Sequence, residues 1–190
     1  MGSMLTEEMK DWFEKRTDRH VNLVLKYINI IAELDMLEIS RDGLFDEIEN
    51  HDAGKWVEPE YTPYVHITWK YKQESEGLSY EPPEDIEAKM KEATYHHVIN
   101  HLHHPEFWDE MMTPDMMNQN DRHKPSGRIV DATMMPPTAI ACMIADWFAV
   151  SEEKNTKIED WLDMNVNVRW KFDQDQIDLM KQLITKVQKD

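Results

Sequence analysis

Between Val21 and Ala32 the apolar side chains Val21, Val24, Leu25, Ile28, Ile31 and Ala32 recur three and four positions apart. That spacing lines one face of an α-helix. It returns at Leu44, Phe45 and Ile48, and again at Ile177, Met180, Leu183, Ile184 and Val187. No stretch alternates at period two for long enough to line a sheet; the one short exception is the valine-containing run from Asn165 to Trp170. The pattern predicts an all-α fold, a bundle of about six to eight helices.

Proline supplies most of the punctuation, since the chain has only five glycines. A short amphipathic helix is expected over about 5–15 through Met9, Trp12 and Phe13, and a longer one over about 18–36. A third, over about 41–50, should end near His51, with Gly54 just beyond. Residues 57–83 hold Pro59, Pro63, Pro82 and Pro83, so a broken connection is expected around one short piece, Tyr64 to Tyr71. A helix from about Glu84 to His103 should be stopped by Pro105, which pushes His104 out of helical geometry. Residues 109–135 read as a polar loop on which Met111, Met112, Met116 and Met117 can dock. Pro136-Pro137 opens an apolar helix to about Val150, and a last helix is expected over about 173–189. The whole chain, 1–190, reads as a single helical domain, with 151–190 a C-terminal helical extension packed on the core. Met-Gly-Ser, residues 1–3, looks like an expression remnant.

The charge is lopsided, with 38 acidic against 21 basic residues and a formal net of −17. Such a surface repels a polyanion, which argues against a nucleic-acid polymer or an anionic membrane as partner. It leaves room for a small phosphorylated molecule, because a bound metal reverses the local sign. No apolar run approaches the ~18 residues of a membrane span, and no secretory signal is present. The single cysteine, Cys142, has no internal disulfide partner, so a reducing cytoplasm is the expected location. The fourteen methionines and seven tryptophans read as filling for an irregular helical core.

Nine histidines are present, and five of them, His96, His97, His101, His103 and His104, fall within nine positions. Imidazole is a mediocre helix former and gains little from burial, so a cluster this dense points to a metal or catalytic role for at least two of them. On a helix, positions 97, 101 and 104 would share one face, and 96, 100 and 103 another. The choice between the faces stays open at this point. His51-Asp52-Ala53-Gly54-Lys55 sits where a helix ends, so that both side chains converge, Gly54 turns the chain and Lys55 points back. The bland reading is an ordinary helix C-terminus with a glycine and lysine stop signal. His20 lies early in the long helix, and Asp146 lies within Ala141-Cys142-Met143-Ile144-Ala145-Asp146-Trp147-Phe148, where an unpaired carboxylate is expensive. An imidazole and carboxylate set drawn from three helices suits a divalent transition metal such as Mn, Fe, Co, Ni or Zn. His66, between Tyr64 and Trp69, and buried-looking Cys142 read as structural; His123 reads as solvated. Arg122, Lys124 and Arg128 form a small basic island able to face a phosphate.

The order His20, His51-Asp52, the histidine cluster and Asp146 resembles the HD-domain superfamily of metal-dependent phosphohydrolases. His51-Asp52-Ala53-Gly54-Lys55 is similar to the His-Asp-x-Gly-Lys form of HD-GYP phosphodiesterases and of myo-inositol oxygenase. His103-His104 with Glu106 is similar to the His-His-x-Glu stretch of two-metal versions. His97, His103-His104, Glu106, Trp108, Met135-Pro136 and Ala145-Asp146-Trp147 look like a small family of uncharacterised phage and bacterial proteins. The resemblance implies an HD-domain-like helical bundle with one or two ions. His20, His51, Asp52 and Asp146 would surround the first, and His97 with His103 or His104 would complete a second. It implies a phosphohydrolase acting on a small phosphorylated molecule, a nucleotide first, with Lys55 on a phosphate oxygen and His101 or His104 protonating the leaving group. The glycine-tyrosine-proline signature of HD-GYP proteins is absent, which counts against a cyclic-di-GMP phosphodiesterase. The same ligand set also suits a diiron oxygenase, or a binding module in which metal only stabilises the fold.

Overall fold

A computed structural model describes residues 5–117, 124–125 and 127–189. Among these the chain is all-α: eight α-helices, two short 3₁₀ turns and two two-residue strands. It divides into two compact units, Met1–Arg19 with Asp52–His97, and His20–His51 with Val98–Asp190. No helix among the described residues is long and apolar enough to cross a membrane.

The first helix, α1 (Glu7–Glu33), is continuous. The periodicity predicts two helices here, divided near residue 16. Arg16, Thr17, Asp18 and Arg19 interrupt the apolar stripe but include neither glycine nor proline, and Thr17 is itself buried, so nothing breaks the backbone ladder. The early part of α1 belongs to unit one and the part from His20 onward to unit two.

In unit one, a 3₁₀ turn (Ala53–Trp56) leads to α3 (Tyr61–Ser75). This helix is longer than the Tyr64–Tyr71 piece expected from the prolines. Pro63 falls in its first turn, where its missing N–H costs nothing. α4 (Glu84–Asn100) follows, with its part up to His97 in this unit. Met9, Phe13 and Val65 form the buried centre, and the Phe13 ring meets those of Trp56 and Tyr61 edge-on, each at 5.4 Å.

Unit two is built around α6 (Pro137–Lys154), where an unbroken run from Ala139 to Ala145 is buried. Pro136 and Pro137 open the helix as expected, and Asn155 ends it in a left-handed conformation, φ 51°. α2 (Arg41–Asn50) and α8 (Gln174–Val187) pack against α6. Ser40 caps α2, accepting from Gly43 N at 3.1 Å. Asp173 caps α8 in a reciprocal capping box with Gln176. Residues 151–190 also supply α7 (Ile158–Asn165), which periodicity does not pick out. Its buried Ile158 and Leu162, with Leu179, Met180, Leu183 and Ile184 of α8, share one core with Val24, Ile28, Ile140 and Met143. The segment expected as loop over 109–135 contains α5 (Pro114–Met117) and β1 (Val130–Asp131). β1 pairs in parallel with β2 (Trp170–Lys171), Val130 opposite Trp170, so the valine-containing exception leads into a minimal strand.

Candidate metal centre

Helix α2 ends where the His-Asp pair begins. His51 is its C-cap, and its N–H bonds Ile48 O at 3.3 Å. Asp52 then takes a left-handed conformation, φ 59°, which a short polar side chain tolerates better than most. The turn is therefore made by Asp52, where the sequence predicts Gly54. Gly54 is needed for room instead: a Cβ there would lie 2.8 Å from Oε1 of Glu60.

In unit two, three helices deliver His20 (α1), His51 (the end of α2) and Asp146 (α6). One donor atom from each lies within 4.8 Å of the others. His20 Nε2 stands 2.9 Å from Asp146 Oδ1, and His51 Nε2 stands 4.0 Å from the same oxygen. Ligands that each sit about 2.0–2.2 Å from one ion lie about 3–3.5 Å apart, so small side-chain shifts bring all three onto a common point. Both histidines are buried, His20 at 7% and His51 at 5% exposure. Glu153, two turns after Asp146 on α6, lies 3.4 Å from His20 Nδ1. Burial pushes the Asp146 carboxyl up, but the His20 hydrogen bond and the charges of His20, His103 and His51 outweigh it and hold it well below the usual carboxylate range.

The same unit gathers Glu47, His51 and His103, whose donor atoms also lie within 4.8 Å of one another. Glu47 is one turn before His51 on α2, so the two share a face. Its Oε1 accepts from His103 Nδ1 at 2.8 Å. The His103 ring centroid is 4.2 Å from that of His51, 4.2 Å from that of His104 and 5.7 Å from that of His101. Helix α4 stops at Asn100, three residues before the expected end. His101, His103 and His104 therefore lie on the turn beyond it, and the two helical faces inferred from sequence do not form there. His104 is extended (φ −97°, ψ 132°) as the following Pro105 requires.

Unit one holds the other candidates. His97 Nε2 lies 3.1 Å from Asp52 Oδ1, and Lys55 Nζ lies 2.6 Å from Asp52 Oδ2. Glu60, fully buried, accepts from His97 Nδ1 at 2.9 Å through one oxygen and from His96 Nδ1 at 2.6 Å through the other. The ring of Tyr64 lies 5.4 Å from that of His97 and 5.1 Å from Lys55 Nζ. Its phenol is pushed well above the ordinary value by burial, aided by the charges of Asp52 and Glu60.

The sequence thus picks out the imidazoles and misses the carboxylates behind them: Glu47, Glu60 and Glu153. Only Glu47 and Glu153 carry a signal, their spacing of four from His51 and seven from Asp146. The remaining candidates are engaged elsewhere. Glu106 accepts from Trp170 Nε1 at 2.9 Å and lies 3.4 Å from Arg169 Nη2. His66 Nδ1 meets the Tyr80 hydroxyl at 2.6 Å, and Cys142 is buried with its thiol pushed up by burial and by the charge of Glu47. Arg128, from the basic island, grips buried Asp109 with two nitrogens at 2.7 Å; Arg122 and His123 lie outside the described residues. Over residues 9–187 the chain matches the model of a family of unknown function (DUF5662), and it belongs to that family. Comparison with curated proteins and with solved structures gives no match.

Proposed function

We propose that this member of the family is a divalent-metal-dependent phosphohydrolase of the HD type, acting on a small phosphorylated molecule, with a nucleotide as the first choice. The observation that carries the reading is the convergence of His20, His51 and Asp146 donors in the interior of unit two. Two imidazole nitrogens and one carboxylate oxygen form a donor set for Mn, Fe, Co, Ni or Zn that leaves positions open for substrate. When bound, such an ion supplies Lewis acidity at a phosphoryl oxygen and acidifies water to near-neutral pKa.

The chain's own contribution begins with orientation. An ionised carboxylate only accepts, so Glu47 places the ring proton of His103 on Nδ1 and turns its Nε2 toward the cluster, while Glu153 lies 3.4 Å from His20 Nδ1. Asp146 stays ionised under the surrounding imidazoles. His104, whose ring centroid lies 4.2 Å from that of His103 at a tilt of 44°, is assigned to donating a proton to the leaving oxygen, with His101 as its neighbour on the same turn. Lys55 neutralises Asp52 in unit one.

The test is a phosphoester panel that includes nucleoside mono-, di- and triphosphates, run on the chain loaded with Mn, Co or Fe under air and under anaerobic conditions. Hydrolysis that Asp146→Asn abolishes is the expected result. A chain that retains metal but hydrolyses nothing overturns the hydrolase reading and leaves metal as a structural support. Turnover that requires oxygen overturns it in favour of a diiron oxygenase.

A further inference from the structure

Glu60 is the most deeply buried carboxylate among the described residues, at 0% exposure. Burying an ionised carboxylate costs several kcal/mol unless strong partners meet it. Glu60 occupies the N-cap position of α3, yet its side chain does not cap that helix. Both oxygens are turned instead to the adjacent imidazoles His96 and His97, each through Nδ1. The backbone makes space for this arrangement at Gly54, where an added Cβ would lie 2.8 Å from Oε1 and 3.0 Å from both Cδ and Oε2. Glycine is not required there for its dihedral freedom, since the only described glycine with positive φ is Gly77. It is required for the close approach of this carboxylate.

The consequence falls on the far side of the His97 ring. With its proton held on Nδ1 by Glu60, His97 turns Nε2 toward Asp52 Oδ1 at 3.1 Å, while Lys55 holds the other Asp52 oxygen. A nitrogen and an oxygen at that separation match two ligands of one divalent cation. We propose that Glu60 is a positioning residue for cation binding in unit one: it fixes the tautomer and angle of His97 so that Nε2 and Asp52 Oδ1 together take a divalent ion. This inference rests on the metal-dependent reading above. It adds a residue that touches neither the cation nor the substrate. Carboxylates placed behind a metal-binding imidazole orient the ring and raise its basicity, and their loss weakens metal binding about tenfold to a hundredfold.

The test is calorimetric titration of the full chain with MnCl₂, alongside Glu60→Gln and Gly54→Ala. Glu60→Gln replaces one acceptor oxygen by a donor amide, and Gly54→Ala displaces an unaltered carboxylate, so the second variant covers the case in which the first does not fold. Melting curves establish that the variants are folded. A parallel ¹⁵N–¹H correlation of the ring nitrogens with Zn²⁺ bound reads the His97 tautomer directly. The proposal expects manganese affinity lowered about tenfold to a hundredfold in both variants, and a His97 that is Nδ1-protonated in the wild type and mixed in Glu60→Gln. Wild-type affinity and an unchanged tautomer in folded Glu60→Gln or Gly54→Ala would overturn the role of Glu60 while leaving the metal reading intact. A wild-type chain that binds no manganese and no zinc would overturn both.

Discussion

Four imidazoles among the described residues have a carboxylate beside Nδ1: Glu153 at His20, Glu60 at both His96 and His97, and Glu47 at His103. The imidazoles are legible in the sequence because they are few and out of place, five of nine lying in one short segment. Asp146 is legible because it interrupts an apolar run. The carboxylates are much less so: the spacing of Glu47 from His51 and of Glu153 from Asp146 does not by itself single them out among 38 acidic residues, and Glu60 carries no such signal. Asp109 is hidden in the same way. Its carboxyl is pushed up by burial but held below the usual range by Arg128 and by the Asp131 and Met111 N–H groups. Because its folded pKa lies below the unfolded value of about 3.9, the stabilisation is fully present above that value and is lost as pH falls through the folded pKa. Arg128 is half-exposed, so Arg128→Ala should cost about 1.5–3 kcal/mol at pH 7. Denaturant titrations of both chains should show that difference shrinking as the pH drops below about 4.

At the scale of elements, helix type and helix count follow from periodicity, but several boundaries do not. Periodicity marks α2 and α8 closely because each has a polar cap residue at its start, Ser40 and Asp173. It splits α1 because it reads only side-chain hydrophobicity, whereas a helix persists through polar residues of adequate propensity. It undersizes α3 by treating Pro63 as a breaker rather than a first-turn residue. α7 is missed because it is short: Ile158, Trp161 and Leu162 do stand at helical spacing, but eight residues give that spacing only one repeat. The capping box of α8 also anchors the segment before α6: Gln176 Nε2 donates to Ala132 O at 3.1 Å and to Met135 O at 2.8 Å. Asp173→Ala should therefore cost about 1 kcal/mol, the ordinary cost of a lost cap. Gln176→Ala, which also strands buried carbonyls, should cost about 1–3 kcal/mol. Urea unfolding checks both, and an equal loss for the two would contradict the anchoring role. Leu183→Ala, in the core shared by α6 and α8, should cost about 2–5 kcal/mol.

For the molecule as a whole, the formal charge of −17 sets the background against which a cation acts. Self-repulsion of that charge opposes the folded state and is screened by salt. Melting temperature should therefore rise between very low salt and about 0.15 M, and thermal scans across that range check it. A divalent ion held by the folded chain alone contributes about 2.7 kcal/mol at a hundredfold excess over its dissociation constant. For a chain of this length that corresponds to roughly 5–10 °C, beyond any general salt effect. The most direct test of the central claim is elemental analysis of the chain purified without chelator, beside Asp146→Asn prepared identically. At least one equivalent of a divalent transition metal in the wild type, lost from a folded Asp146→Asn, is the predicted result. A folded wild-type chain without bound metal, or an Asp146→Asn variant that retains the full equivalent, would contradict it.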